Sequence, residues 1–241
     1  MAGDLLHLPE DWERALAVVA HPDDLEYGVA AAVARWTAAG KDVRYALATS
    51  GEAGIAALAP EETGPLREAE QRASAAAVGV SDVEFLGFPD GCVMADLDLR
   101  RALAACIRRH RPEAVLSINY RDSFGGGSWN HVDHRNVGRA LIDAVRDAAN
   151  PWMFPELAAN GLEAWGGVRF IAFGGSPEPT HAVDVTGHLE AGFASLAAHA
   201  VYLATLEGPM ADPEAFLRPN AEADGERLGV RHAVSFEVVF A

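Results

Sequence analysis

The sequence predicts an α/β fold organised around a doubly wound, mostly parallel sheet. Three observations carry this. Short apolar runs of strand length alternate with longer helix-prone segments four times before residue 150, the pattern of right-handed strand–helix–strand crossovers. The opening run, Ala17-Val18-Val19-Ala20, is apolar at successive positions, as in strands buried on both faces. Each chemically capable polar cluster in the first 134 residues follows directly on such a run. In open α/β sheets, ligands bind outside the carboxyl ends of the strands.

The bulk properties are those expected of an ordinary soluble globular protein. With 241 residues, 50% hydrophobic and 22% charged, the chain is long enough for one sizeable domain. No linker or repeat divides it, so one domain over 1–241 is expected, with 151–241 its less regular, substrate-side half. A formal charge of −16 argues against nucleic acid or an anionic membrane as partner. Cys92 and Cys106 lack CxxC spacing and read as small apolar fillers, so any metal must be held by histidine and carboxylate. The first residues lack the basic start and apolar core of a secretory signal. No run approaches the roughly 18 apolar residues of a membrane span. The expected location is cytoplasmic, and self-association is left open.

Taken in order, the opening strand leads into an Ala-rich helix over 29–39, stopped by Gly40. A strand over 42–49 runs into the acidic turn Ser50-Gly51-Glu52-Ala53-Gly54. A helix capped by Thr63, with Pro65 early, continues to about Val78 and closes at Gly79. A short strand over 83–87 enters the turn Phe88-Pro89-Asp90-Gly91. An amphipathic helix over 96–110 turns Leu97, Leu99, Leu103 and Ile107 inward. The fourth strand, 113–118, is followed by a loop over 119–130, and His131 opens a helix to Ala149, ended by Asn150-Pro151. Further on, strands over 168–173 and 182–185, one long helix over 187–206, a loop or lid with a short helix over 208–229, and a last strand at the sheet edge over 231–240 are expected.

Two clusters hold the chemistry. At the first strand exit stand His21-Pro22-Asp23-Asp24-Leu25-Glu26; adjacent carboxylates repel unless a cation or a reaction uses them. His131-x-Asp133-His134 puts two histidines on one face of a helix start, and imidazole is a common zinc ligand. Together they supply the three protein ligands of a catalytic zinc, with acid–base groups to spare. Two histidines and a carboxylate also suit iron or other divalent ions.

These residues resemble the PIG-L/LmbE-like family of zinc-dependent N-deacetylases. Ala20-His21-Pro22-Asp23-Asp24-Leu25-Glu26 looks like its AHPDDxE signature, and 131–134 match its HxDH motif. Gly51-Glu52-Ala53-Gly54 resembles its GExG loop, Arg67-x-x-Glu70 its RxxE helix, and Leu86-Gly87-Phe88-Pro89-Asp90-Gly91 its LGxxDG turn. The resemblance implies a Rossmann-like (LmbE-like) three-layer sandwich and a zinc-dependent hydrolase. Its substrate would be an N-acyl, chiefly N-acetyl, group on an N-acetylglucosamine-type small molecule. It assigns the metal to His21, Asp24 and His134 and the general base to Asp23. His131 would face the acyl oxygen or the leaving amine, Asp133 would hold the His131 ring, and Glu26 would orient the motif. Arg67 and Asp90 match positions near substrate hydroxyls. Trp129 stands where some members carry a tyrosine and is a candidate sugar platform. His199 matches a family histidine loosely, and Tyr202 replaces a typical glutamine. Two alternatives use the same residues: an amidase acting on a thiol conjugate of an amino-sugar cofactor, and a non-catalytic sugar- or nucleotide-binding module. Against the second, no GxGxxG follows the first strand.

Overall fold

The computed structural model describes residues 4–241. A short strand β1 (Leu6–His7) precedes β2 (Arg14–Val19), α1 (Ala30–Ala38), β3 (Asp42–Leu47), α2 (Pro60–Ala77), β4 (Val83–Phe85), α3 (Leu97–His110) and β5 (Ala114–Ile118). A hairpin of β6 (Ser123–Gly125) and β7 (Ser128–Trp129) leads to α4 (Val132–Ala149) and α5 (Pro155–Ala159). The second half contains β8 (Phe170–Gly174), β9 (His181–Asp184), α6 (Leu189–Ala197), α7 (Ala200–Leu203), a 3-10 turn (Gly208–Ala211), α8 (Pro213–Leu228) and β10 (Ala233–Phe240).

The eight-stranded sheet has the order β1-β9-β10-β8-β5-β2-β3-β4. From β2 the winding goes outward through β3 and β4, then returns to place β5 on the other side of β2. The β2–β5 border is therefore the topological switch point, where a crevice opens at the strand ends. Both faces of β2 are covered. Ala15, Ala17 and Val19 enter one core with α1, Trp12, Trp36 and Phe193, while Leu16 and Val18 enter the other with α3 and α4. This double burial is why the strand reads as one apolar run. No helix among the described residues is long and apolar enough to cross a membrane.

The structure corrects several sequence expectations. α2 begins at Pro60, not at Thr63: proline at its first turn presets φ, and Glu61 and Glu62 complement the helix dipole. Leu97 is 57% exposed, because it lies off the 99-103-107 stripe that packs inward. The long late helix is two, broken at His199, whose ψ of 47° interrupts the ladder. The 208–229 segment is mostly α8, sixteen residues capped by Asp212, rather than loop. β10 is not an edge strand; its first half pairs with β9 and its second with β8, joining two offset parts of the sheet. Its polar alternation reflects Glu237, which is buried and satisfied by a two-pronged Arg121 (2.8 and 2.8 Å), Ser176 and Tyr120. Cys92 is exposed, whereas Cys106 is buried as expected.

One buried cation secures the far end of the layer that presents the site. Arg108 of α3 donates to the carbonyls of Ala148, Asp147, Asn150, Met153 and Phe154, at 2.9–3.4 Å, where α4 ends. Asp147, Ala148, Asn150 and Phe154 each also accept one backbone amide, from Asn150, Trp165, Met153 and Leu157, so Arg108 fills the second acceptor position of these carbonyls. Arg108→Leu removes the charged donor that ties these five carbonyls together, and is expected to lower unfolding free energy by about 2–3 kcal/mol, measured by urea denaturation. An unchanged midpoint would contradict that role.

Candidate metal centre and active site

The site forms where β2 ends beside β5. Asp24 folds back over the exit of β2: its Oδ2 accepts from the amides of Ala20 (3.0 Å) and His21 (2.8 Å). Its Oδ1 is left 2.9 Å from His134 Nε2. His134 comes from the first turn of α4, after the β6–β7 excursion from β5, so the sheet topology itself brings the two motifs together.

The two rings meet edge to edge. His21 Nδ1 lies 3.1 Å from His134 Nε2 and 3.7 Å from Asp24 Oδ2. On its other side, His21 Nε2 faces the carboxylates of Asp90 (3.1 Å) and Asp133 (3.3 Å), to which it must donate. His134 Nδ1 likewise donates to Asn130 Oδ1 at 2.9 Å. Each ring's one neutral-state proton is thus committed outward, so both inner nitrogens present lone pairs to each other and to a carboxylate. Lone pairs so opposed require a positive charge between them. Burial opposes charging of the His21 ring, yet Asp24, Asp133 and Asp90 override it and hold its pKa well above the ordinary value. Burial likewise opposes ionisation of Asp24, but His134 and His21 hold that carboxyl far below the usual carboxylate range. A divalent cation in place of the proton fits this donor set: two imidazole nitrogens and a carboxylate oxygen, with outer hydrogen bonds already fixing the rings.

Two other donor groups are less suited. His131 has a ring nitrogen within 4.8 Å of those of His21 and His134, but its Nδ1 accepts from the Asp133 amide (3.2 Å), capping α4. Its proton therefore sits on Nε2, making it a donor rather than a ligand. Desolvation and the two neighbouring histidines push its pKa down, favouring this neutral form. Glu84, Cys106 and His110 also converge. There, Arg109 already occupies Glu84 at 2.6 Å, and Arg44 stands 3.2 Å from His110 Nδ1.

Asp23 is set apart from these donors by strained backbone. It is a non-glycine residue at φ +87°, a conformation costing of order 1–3 kcal/mol that persists only when its surroundings enforce it. They do. Gln71 Oε1 accepts from the Asp23 amide at 3.0 Å, and Arg67 Nη2 pairs with its carboxylate at 3.0 Å while donating to Pro22 O at 2.6 Å. Arg67 is fully enclosed: a Cβ on Gly51 would sit 2.6 Å from its Nη1, and one on Gly54 closer still, so the loop after β3 must be glycine there. The Tyr202 ring covers the guanidinium at 4.1 Å, and burial together with the Asp23 carboxylate pushes its hydroxyl pKa up. Burial pushes Asp23 up to about 8, with Arg67 and His21 pulling it down and Asp24 adding to the rise. The result is a buried carboxyl of raised proton affinity beside the His21–Asp24–His134 cluster.

The nine residues singled out from sequence therefore gather at one strand edge, but three have other partners than expected. Asp133 holds the His131 ring through its backbone amide rather than its side chain; its carboxylate accepts from the amides of Gly91 (2.7 Å) and Val93 (3.1 Å) and steadies His21. Asp90, whose other oxygen accepts from Ala53 N at 2.9 Å, also steadies His21 rather than standing free for a substrate. Arg67 is committed to Asp23. Trp129 is 69% exposed at the rim, with Arg135 stacked 5.1 Å from its ring centroid. Glu26 is tied to α2, its Oε1 accepting from Gln71 (2.9 Å) and Ser74 (2.7 Å). His199 is fully buried, 3.8 Å from Glu26. Sequence reasoning missed Asn130, Gln71 and the contact of Tyr202 with Arg67. The signal for Gln71 was present: Arg67, Gln71 and Ser74 form a polar stripe at helical spacing on α2, all buried.

A sheet covered on both faces, with a His₂–Asp pocket and a separate buried carboxylate at its switch point, defines an α/β protein with a donor set that could hold a metal ion. Residues 16–145 match the family described as PIG-L: GlcNAc-PI de-N-acetylase, and the chain belongs to that family. Among its relatives, diacetylchitobiose deacetylase of Thermococcus kodakarensis is 26% identical over 231 residues, covering 95% of this chain and 84% of that protein. The 1D-myo-inositol 2-acetamido-2-deoxy-alpha-D-glucopyranoside deacetylase of Geodermatophilus obscurus is 34% identical over 171 residues, 60% of this chain and 56% of its own length. The structure of N,N'-diacetylchitobiose deacetylase from Pyrococcus horikoshii with its inhibitor superposes at a TM-score of 0.85 and 25% identity, covering 95% of this chain and 85% of that one. These homologues are N-deacetylases, hydrolases of amide bonds.

Asn130→Leu removes the acceptor that keeps the His134 proton on Nδ1. Zinc affinity, measured by competition with a chromogenic chelator, is expected to fall about 10–100-fold with folding retained. Unchanged affinity would contradict this role for Asn130.

Proposed function

We propose that the chain is a metal-dependent N-deacetylase acting on an N-acetylglucosamine-type small molecule. The observation that carries this is the opposition of two imidazole lone pairs and a carboxylate next to a second, separately held carboxylate. Family membership and the activities named for the relatives support the same reading. His21, Asp24 and His134 would hold the metal; zinc suits this donor set, and iron is the main alternative. When bound, such an ion supplies Lewis acidity and lowers the pKa of water toward neutrality.

The rest is the work of the chain's own residues. Asp23 takes the proton of the attacking water, and Arg67, Gln71 and Tyr202 fix where that carboxylate points. His131, neutral with its proton on Nε2, donates to the acyl oxygen as negative charge develops there. The departing amine receives the proton that Asp23 took from the water, passed through Nε2 of the His131 ring, which restores the Asp23 carboxylate. Asp90, Asp133 and Asn130 keep the two ligand rings in their binding tautomers. Trp129, exposed at the rim, offers a flat apolar face to a sugar ring.

Asp23→Ala should retain about one metal ion per chain by elemental analysis and lose about 10²–10⁴-fold in kcat for acetate release from N-acetylglucosaminides. Loss of metal together with turnover would instead make Asp23 a ligand. Full activity of the variant, or of metal-free protein, would refute the reading.

A further inference from the structure

Beside the ligand trio lies a cavity of about 680 Å³ whose walls include Asp24 and His134. It extends away from Asp23 and His131, between the start of α1, the β8–β9 connection, the β6–β7 hairpin and α8. Val29, Ile118, Phe124, Pro179, Phe216 and Leu217 face it. Its polar lining is largely committed: Ser176 donates to Glu237, Asn220 to Phe216 O, and Asp224 accepts from the Ser235 amide. Tyr27 ties down the roof, donating to Met210 O at 2.7 Å and meeting the Phe216 ring at 5.2 Å.

We propose that this cavity is a specificity chamber for an uncharged apolar group, alkyl or aryl, carried by the substrate whose amide is cut. The proposal rests on the deacetylase reading above. Because Asp24 and His134 form part of the wall, whatever fills the chamber is attached to the reacting amide rather than bound independently of it. The volume far exceeds what an acetyl group needs and falls within the range of small-molecule sites. A second sugar ring would meet mostly apolar side chains there, which leaves most of its hydroxyls poorly partnered. An anionic group is disfavoured by Asp24 and Glu26 on the wall, where Arg227 is already paired with Asp224 at 3.7 Å. The apolar group enters either as a longer acyl chain or as the aglycone of the amino sugar; both present the same surface to the chamber.

Zinc-loaded protein is assayed for amine release, and by calorimetry for binding, on two series. One is glucosamine N-acylated with chains from acetyl to decanoyl; the other is N-acetylglucosaminides with 1-O-alkyl groups from methyl to octyl. On one series, affinity and kcat/KM should rise with chain length, by up to about fourfold per buried methylene, and that series identifies the source of the group. The slope should flatten in Leu217→Glu, which puts a charge on the wall, and in Ser235→Phe, which fills the space. Affinity and kcat/KM indifferent to chain length on both series, or slopes unchanged in both variants, would overturn the proposal. Chain-dependent binding without amine release from any compound would support the chamber and overturn the deacetylase reading.

Discussion

The structure depends on one electrostatic constraint, the meeting of His21 Nδ1, His134 Nε2 and the Asp24 carboxylate within 3.7 Å. Left alone, three electron-rich groups at that distance repel. The surroundings hold them there through outward hydrogen bonds from each ring and through backbone amides on Asp24. The chain therefore spends conformational and electrostatic energy on a configuration that a proton on His21 or a bound cation relieves. Much of the neighbouring polar machinery follows: Asp90 and Asp133 serve His21, and Asn130 serves His134.

The second constraint is the separation of Asp23 from Asp24. Adjacent carboxylates would ordinarily compete for the same cation. The positive φ at Asp23 turns its side chain away from the pocket, toward α2, where Arg67 waits under Gly51 and Gly54. Consequently the polar stripe on α2 and the glycine loop after β3 act as one device: they aim a single carboxylate. The same division explains why the large apolar cavity opens on the Asp24–His134 side, clear of the groups that handle protons.

The central winding was legible because strands buried on both faces read as unbroken apolar runs, and the helices between them carry ordinary caps and stops. The candidate donor clusters were legible as acids and histidines gathered at strand exits, whereas the assignment of a metal to His21, Asp24 and His134 came from the family resemblance. What escaped notice were partnerships across long sequence separations. Asp133 steadies His21 from 112 residues away, and its neighbour in sequence, His131, was the natural but mistaken partner for that carboxylate. Asp90 was given to the substrate for the same reason. β10 looked like an edge strand because Glu237 alternates with apolar residues; only the folded chain brings Arg121 and Ser176 to it. The break at His199 likewise depends on tertiary surroundings that no local pattern encodes.

The most direct test is anomalous diffraction from crystals of zinc-loaded protein. A single strong peak among His21 Nδ1, His134 Nε2 and the Asp24 carboxylate, with Asp23 and His131 outside its coordination shell, is the predicted result. A peak held by His131, a peak at Glu84, Cys106 and His110, or no bound zinc at all would contradict the account.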